Sequence, residues 1–166
     1  MGRSALKIIS ADAQYRNRYV TARGNFIWGD LDNASGISAV NSSRSTNSYP
    51  SGKFRVTAKN ALCYGAEVGI NVSAFFNNPK VPVLYPFARY DYYNPQEKGD
   101  KDVMDKRMQV CKWTAGINWY ALPNLVVKLD YTTRHIGTAK PVGSNQYNHE
   151  NEFSIGVAYV GWFTKR

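Results

Sequence analysis

Charge placed at every second residue is the first chemistry visible in this sequence. Arg23, Arg89, Lys112, Lys128, Asp130 and Arg134 lie in stretches where polar and apolar residues alternate, so each projects to one side of an extended chain. With Asp12, Arg16, Glu67, Asp91 and Glu152 they make a face too highly charged for a dry core, and a hydrated lumen satisfies them all. Arg89, Lys112, Lys128 and Arg134 are expected on neighbouring strands. There they either form a basic ladder that favours anions or join the acids in cross-strand ion pairs that stiffen the wall.

Other constellations carry less. His135 and His149 flank a long loop, but they have no carboxylate at ligand spacing and read as surface residues, so no metal and no cofactor is expected. Cys63 and Cys111 fit neither a metal spacing nor a disulfide framework. No phosphate-cradling Gly-rich loop, nucleophile elbow or convincing Ser/His/acid arrangement is present. The expectation is a protein that is not an enzyme. A formal charge of +9 leaves nucleic acid, an anionic surface and anionic solutes open as partners. The basic run Lys98–Arg107 is offset by Asp100, Asp102 and Asp105, which favours an outer loop touching lipopolysaccharide phosphates or divalent ions over a nucleic-acid patch.

The elements that must position these charges are strands. Alternation of period two recurs at Lys7–Tyr15, Tyr19–Gly29, Tyr64–Phe76, Val83–Tyr93, Lys112–Ala121, Leu125–Arg134 and Glu152–Phe163. Within Val83–Tyr93 the pattern is weaker, because both faces are aromatic and Pro86 lacks a ladder donor. The connections alternate between short (16–18, 77–82, 122–124) and long (30–59, 94–110, 135–151). Short turns on one rim and long loops on the other are the habit of an outer-membrane barrel. The Ser- and Asn-rich stretch 33–51 reads as solvated loop. Apolar runs are short and the mean hydropathy is -0.45, which argues against spanning helices but not against spanning strands, where only alternate residues meet lipid.

Alternation alone leaves two phases open, an oily interior as in a lipocalin or an oily exterior as in a membrane barrel. Aromatic placement separates them. The apolar face ends in Trp28, Tyr64, Tyr92, Trp113, Tyr131 and Phe153 on the loop side, and in Tyr15, Phe76, Trp119 and Phe163 on the turn side. Two girdles of rings suit two membrane–water boundaries, whereas a soluble core would gather its rings centrally. The fold expected is therefore all-β, an antiparallel up-and-down transmembrane β-barrel. An odd, open set of strands cannot satisfy its backbone in lipid, and MGRSALKIIS holds no apolar secretory segment. Residues 1–166 are accordingly expected to be one C-terminal segment of a larger barrel.

The stretches YPFARYDYYNP (Tyr85–Pro95), TAGINWYALPNLVVKLDY (Thr114–Tyr131) and NEFSIGVAYVGWF (Asn151–Phe163) resemble the C-terminal region of outer-membrane porins of the phosphate-selective porin superfamily, particularly its Bacteroidetes-like members. The resemblance spans most of Lys7–Phe163. It implies a barrel of many more strands in the bacterial outer membrane that passes small hydrophilic solutes or ions by diffusion, with anions favoured. Outer-membrane lipids, lipopolysaccharide and the barrel assembly machinery are the partners it implies, and a homotrimer is compatible with it. Phe163 looks like the terminal aromatic that this machinery recognises, although Thr164, Lys165 and Arg166 follow it. Two alternatives of other classes remain at this point: an outer-membrane barrel enzyme of lipase or protease type, and a soluble lipocalin-like binder.

Overall fold

The computed structural model describes residues 4–44, 57–76, 81–98, 108–137 and 149–159. Seven strands form one sheet: β1 (Leu6–Arg16), β2 (Val20–Leu31), β3 (Asn60–Ile70), β4 (Val83–Lys98), β5 (Val110–Leu122), β6 (Leu125–Ile136) and β7 (His149–Tyr159). Each strand pairs antiparallel with the next in sequence, in the order β1-β2-β3-β4-β5-β6-β7. Strands of 11 to 16 residues are long enough for the ~9–11 needed to cross a bilayer when tilted. No described helix is long and apolar enough to cross a membrane, which says nothing of strands.

The short turns are built from side chains that replace ladder hydrogen bonds. Between β1 and β2, Asn17 Oδ1 accepts from the backbone N–H of Tyr19 and Val20 at 2.8 and 2.6 Å, an Asx-type closure. Between β5 and β6 only Pro123 and Asn124 intervene, because Leu122 already pairs with Leu125. Pro86 is accommodated inside β4 for a local reason. Pairing with β3 ends at Gly69–Phe87, one residue short of Pro86, so a missing donor there is tolerated as on an edge.

Three sequence expectations are corrected. The alternation of Tyr64–Phe76 does not continue as one strand: β3 stops at Ile70 and Val72–Phe75 turns as a 3-10 helix. Asn71 supplies the cause, since its side chain donates to the Arg18 carbonyl and accepts from Ser73 Oγ at 2.6 Å, local bonds that compete with a ladder. Within 33–51, which reads as loop, Ala34–Arg44 is an α-helix, here α1. Its polar, Ser-rich sequence has almost no apolar periodicity to announce it. β4 runs on to Lys98, past the expected end at Tyr93, because Asn94 binds both Glu97 Oε2 and the Gln96 backbone and keeps the extension ordered.

The sheet has almost no core. Among the described residues only Ala34 and Val110 are buried apolar side chains. Burial alternates instead, most plainly in β7: Phe153, Ile155 and Val157 are 65 to 69% exposed, while Ser154, Gly156 and Ala158 between them are partly covered. In β7 the apolar side is thus the more exposed one, and the concavities lie on the polar side of the sheet.

Candidate functional site

Register brings the charged residues of six strands onto that polar side. Arg23 of β2 faces Glu67 of β3, which faces Arg89 of β4. Asp91 faces Lys112 of β5, which faces Arg134 of β6, which faces Glu150 of β7. Lys128 lies between Asn118 and Gly156, and Asp130 between Gly116 and Ser154. Arg23, Arg89, Lys112, Lys128, Asp130 and Arg134 therefore share one face. A concavity of about 360 Å³ lies over the β1–β4 part of it, lined by Asp12, Arg23, Glu67, Arg89 and Asp91. A second of about 370 Å³ lies over the β4–β6 part, lined by Arg89, Lys112, Thr114, Asn118, Lys128, Asp130 and Thr132.

The arginines and the lysines behave differently there. Arg23 is paired with Glu67, Arg89 with Asp91 at 2.7 Å, and Arg134 with Glu150 at 2.5 Å. Neither Lys112 nor Lys128 forms an ion pair with a described residue. Lys112 stands directly opposite Arg134, a like-charge neighbour, which costs stability in a sheet. Arg134 Nε and Asn118 Oδ1 are both buried without a hydrogen-bond partner among the described residues. Between these rows the hydroxyls of Thr114 and Thr132 meet at 2.8 Å.

Glycine shapes this face at two positions. A Cβ on Gly65 would stand 2.8 Å from Asp91 Oδ1, so the bare backbone makes room for the carboxylate that holds Arg89. A Cβ on Gly116 would meet the Leu129 carbonyl at 2.5 Å and the Phe87 ring at 2.7 Å. Towards the turn end the face becomes aromatic, with Tyr85 packed edge-on against Tyr120 at 5.6 Å. The sequence showed aromatic residues on both faces of β4 but not this contact.

The apolar side carries a band of rings near its loop end. Tyr64 stacks on Tyr92 at 4.9 Å, Tyr90 packs on Trp113 at 4.6 Å, and Tyr131 stands opposite Phe153 in register. Trp28, two residues from Phe26, whose partner is Tyr64, extends the band along β2. At the other end Tyr15 and Trp119 lie close to the short turns on the same side. Phe76 does not share strand parity with them, since it follows the 3-10 helix and is exposed. Phe163 lies outside the described residues, as does most of Lys98–Arg107.

One pairing was not legible in the sequence. His135 and His149, expected as loop-flanking surface residues, are register partners at the loop end of β6 and β7, with ring centroids 4.2 Å apart. Only strand ends longer than the alternation indicates bring them together. Cys63 and Cys111 are free thiols; Cys63 has the parity of the charged face and Cys111 that of the rings, so they cannot pair. No group of three or more His, Cys, Asp or Glu among the described residues is arranged to hold a metal.

No curated protein and no solved structure matches the chain. The family model for phosphate-selective porin O and P matches residues 38–160, a span that takes in β3 to β7 and both lysines of the polar face. An antiparallel sheet with one apolar, ring-bearing side and one charged side suits the wall of a membrane β-barrel, and the match covers most of that sheet. The chain belongs to the phosphate-selective porin O and P family, channel-forming β-barrel proteins of the bacterial outer membrane.

Proposed function

We propose that the charged face is the lumen lining of this porin and that it favours small anions, phosphate among them, which cross by diffusion. The observation that carries the reading is Lys112 opposite Arg134, with the Arg134 Nε unfilled. A wall charged only for rigidity would pair each base with an acid, whereas Lys112, although Asp91 stands opposite it on β4, forms no ion pair with a described residue because Asp91 is held by Arg89. Here Glu67, Asp91 and Glu150 are held by arginines, and neither Lys112 nor Lys128 forms an ion pair with a described residue, although the Asp130 carboxylate shares their face. Two point charges with freely turning donors suit a passing anion, because binding must be weak enough for release. The Thr114 and Thr132 hydroxyls, between Lys112 and Lys128 along the sheet, replace part of an anion's hydration as it moves.

Reversal potential across a planar bilayer with a salt gradient tests this. The unaltered channel is expected to pass anions in preference to cations, and the Lys112→Glu, Lys128→Glu double variant to shift the ratio toward cations. An unchanged ratio in a variant of unchanged conductance would leave these lysines as wall residues only.

A further inference from the structure

The histidine pair at the loop rim remains outside any account of permeation. His135 and His149 have the parity of the lipid-facing side chains and stand four residues beyond Tyr131 and Phe153 on their strands. At about 3.4 Å per residue, and with the usual tilt of about 40°, that places them roughly 10 Å above the aromatic row, at the level of the lipid headgroups. Their rings are exposed to water. His149 Nδ1 lies 3.0 Å from His135 Nε2 and 3.3 Å from His135 Nδ1.

We propose that His135 and His149 form a two-imidazole chelate for one divalent transition cation, with water completing the coordination. Nitrogens bind zinc-like ions at about 2.0–2.1 Å, so two imidazoles whose ring centroids lie 4.2 Å apart are close enough to place one nitrogen each on a shared ion once their lone pairs converge. Loading takes a turn of the His135 ring, since His149 Nδ1 lies within 3.3 Å of both His135 nitrogens and neither of their lone pairs is aimed at it. His149 Nε2 is 3.4 Å from the Thr133 hydroxyl. A hydrogen bond donated there by Nε2–H would leave the Nδ1 lone pair free for an ion, the kind of outer support metal-binding histidines use. Imidazole ligands select copper, nickel and zinc over calcium and magnesium, with copper bound most tightly. An ion held here ties the end of β6 to the start of β7 across the base of a long connection. The proposal rests on the register of these two strands and is independent of what the pore passes.

Copper(II) titration of the detergent-folded protein, followed by electron paramagnetic resonance, reads the site directly. The expected result is one ion per chain with a nitrogen-coupled spectrum. His135→Gln and His149→Gln should each weaken binding by tenfold or more, against the roughly 10–100-fold that even outer-sphere changes produce. Retained heat-modifiable gel mobility and conductance would show that each variant still folds. Binding of equal strength in the folded variants, or no nitrogen-coupled signal in the unaltered protein, would overturn the site and leave a hydrogen-bonded histidine pair.

Discussion

Gly116 and Gly156 have the same parity, yet an added carbon would meet different surroundings. At Gly116 it would enter the Leu129 backbone and the Phe87 ring, whereas at Gly156 its nearest neighbour is Lys128 Cβ at 3.9 Å, an ordinary contact. Gly116→Ala should therefore cost about 1–3 kcal/mol through forced displacement, and Gly156→Ala well under that, as read from urea unfolding of protein folded in bilayers. Equal costs would mean that the close approach at Gly116 is not what keeps the residue small. Alternation in the sequence shows that both glycines face the polar side. It does not show which one lies beneath a ring, because that depends on the register of β4 against β5. The same limit hid the histidine pair, whose members lie 14 residues apart and meet only through the β6–β7 register.

The strands were legible as elements because their two faces differ in chemistry over most of their length. Their ends were not. Asn71 diverts β3 through side-chain bonds, and Asn94 prolongs β4 the same way, so local polar contacts decided where alternation stopped counting. α1 was missed because its residues carry neither an amphipathic stripe nor a strong capping pattern; Asn33, in the left-handed region at φ 60°, supplies the carbonyl that accepts from Ile37 and starts it. The assignment of faces can be tested on one strand. Ile155, opposite Leu129, belongs to the exposed apolar side. Ile155→Arg should destabilise the membrane-folded protein by about 2–4 kcal/mol if it lies near the bilayer midplane, while an arginine at neighbouring Ser154, on the charged side, should cost far less. Reversal of that order would invert the sheet and return the lipocalin-like reading.

On the scale of the whole molecule, the absence of a core predicts dependence on lipid or detergent. Large apolar side chains of β1, β2, β3, β5, β6 and β7, among them Ile9, Phe26, Val68, Trp113, Leu129 and Ile155, are exposed together on one side, an area well beyond what a soluble monomer presents. In detergent or lipid the protein should show heat-modifiable gel mobility, and in plain buffer it should aggregate; a stable monomer without amphiphile would refute the facing. The charged side is equally uneven. Glu67, Asp91 and Glu150 are held by arginines, while Lys112 on β5 and Lys128 on β6 form no ion pair with a described residue, and raising ionic strength should erode any anion preference as screening sets in over about 10 Å.

Because every described strand pairs only with its neighbours in sequence, this part of the wall is a one-dimensional chain of hairpins. Such an object can assemble by sequential addition, each hairpin templating the next at little entropic cost for long-range closure. It also makes the hairpin a modular unit. Removing β5 and β6 together would leave β4 and β7 antiparallel, with apolar side matched to apolar side, so the perimeter could change in steps of two while inside and outside stay the same.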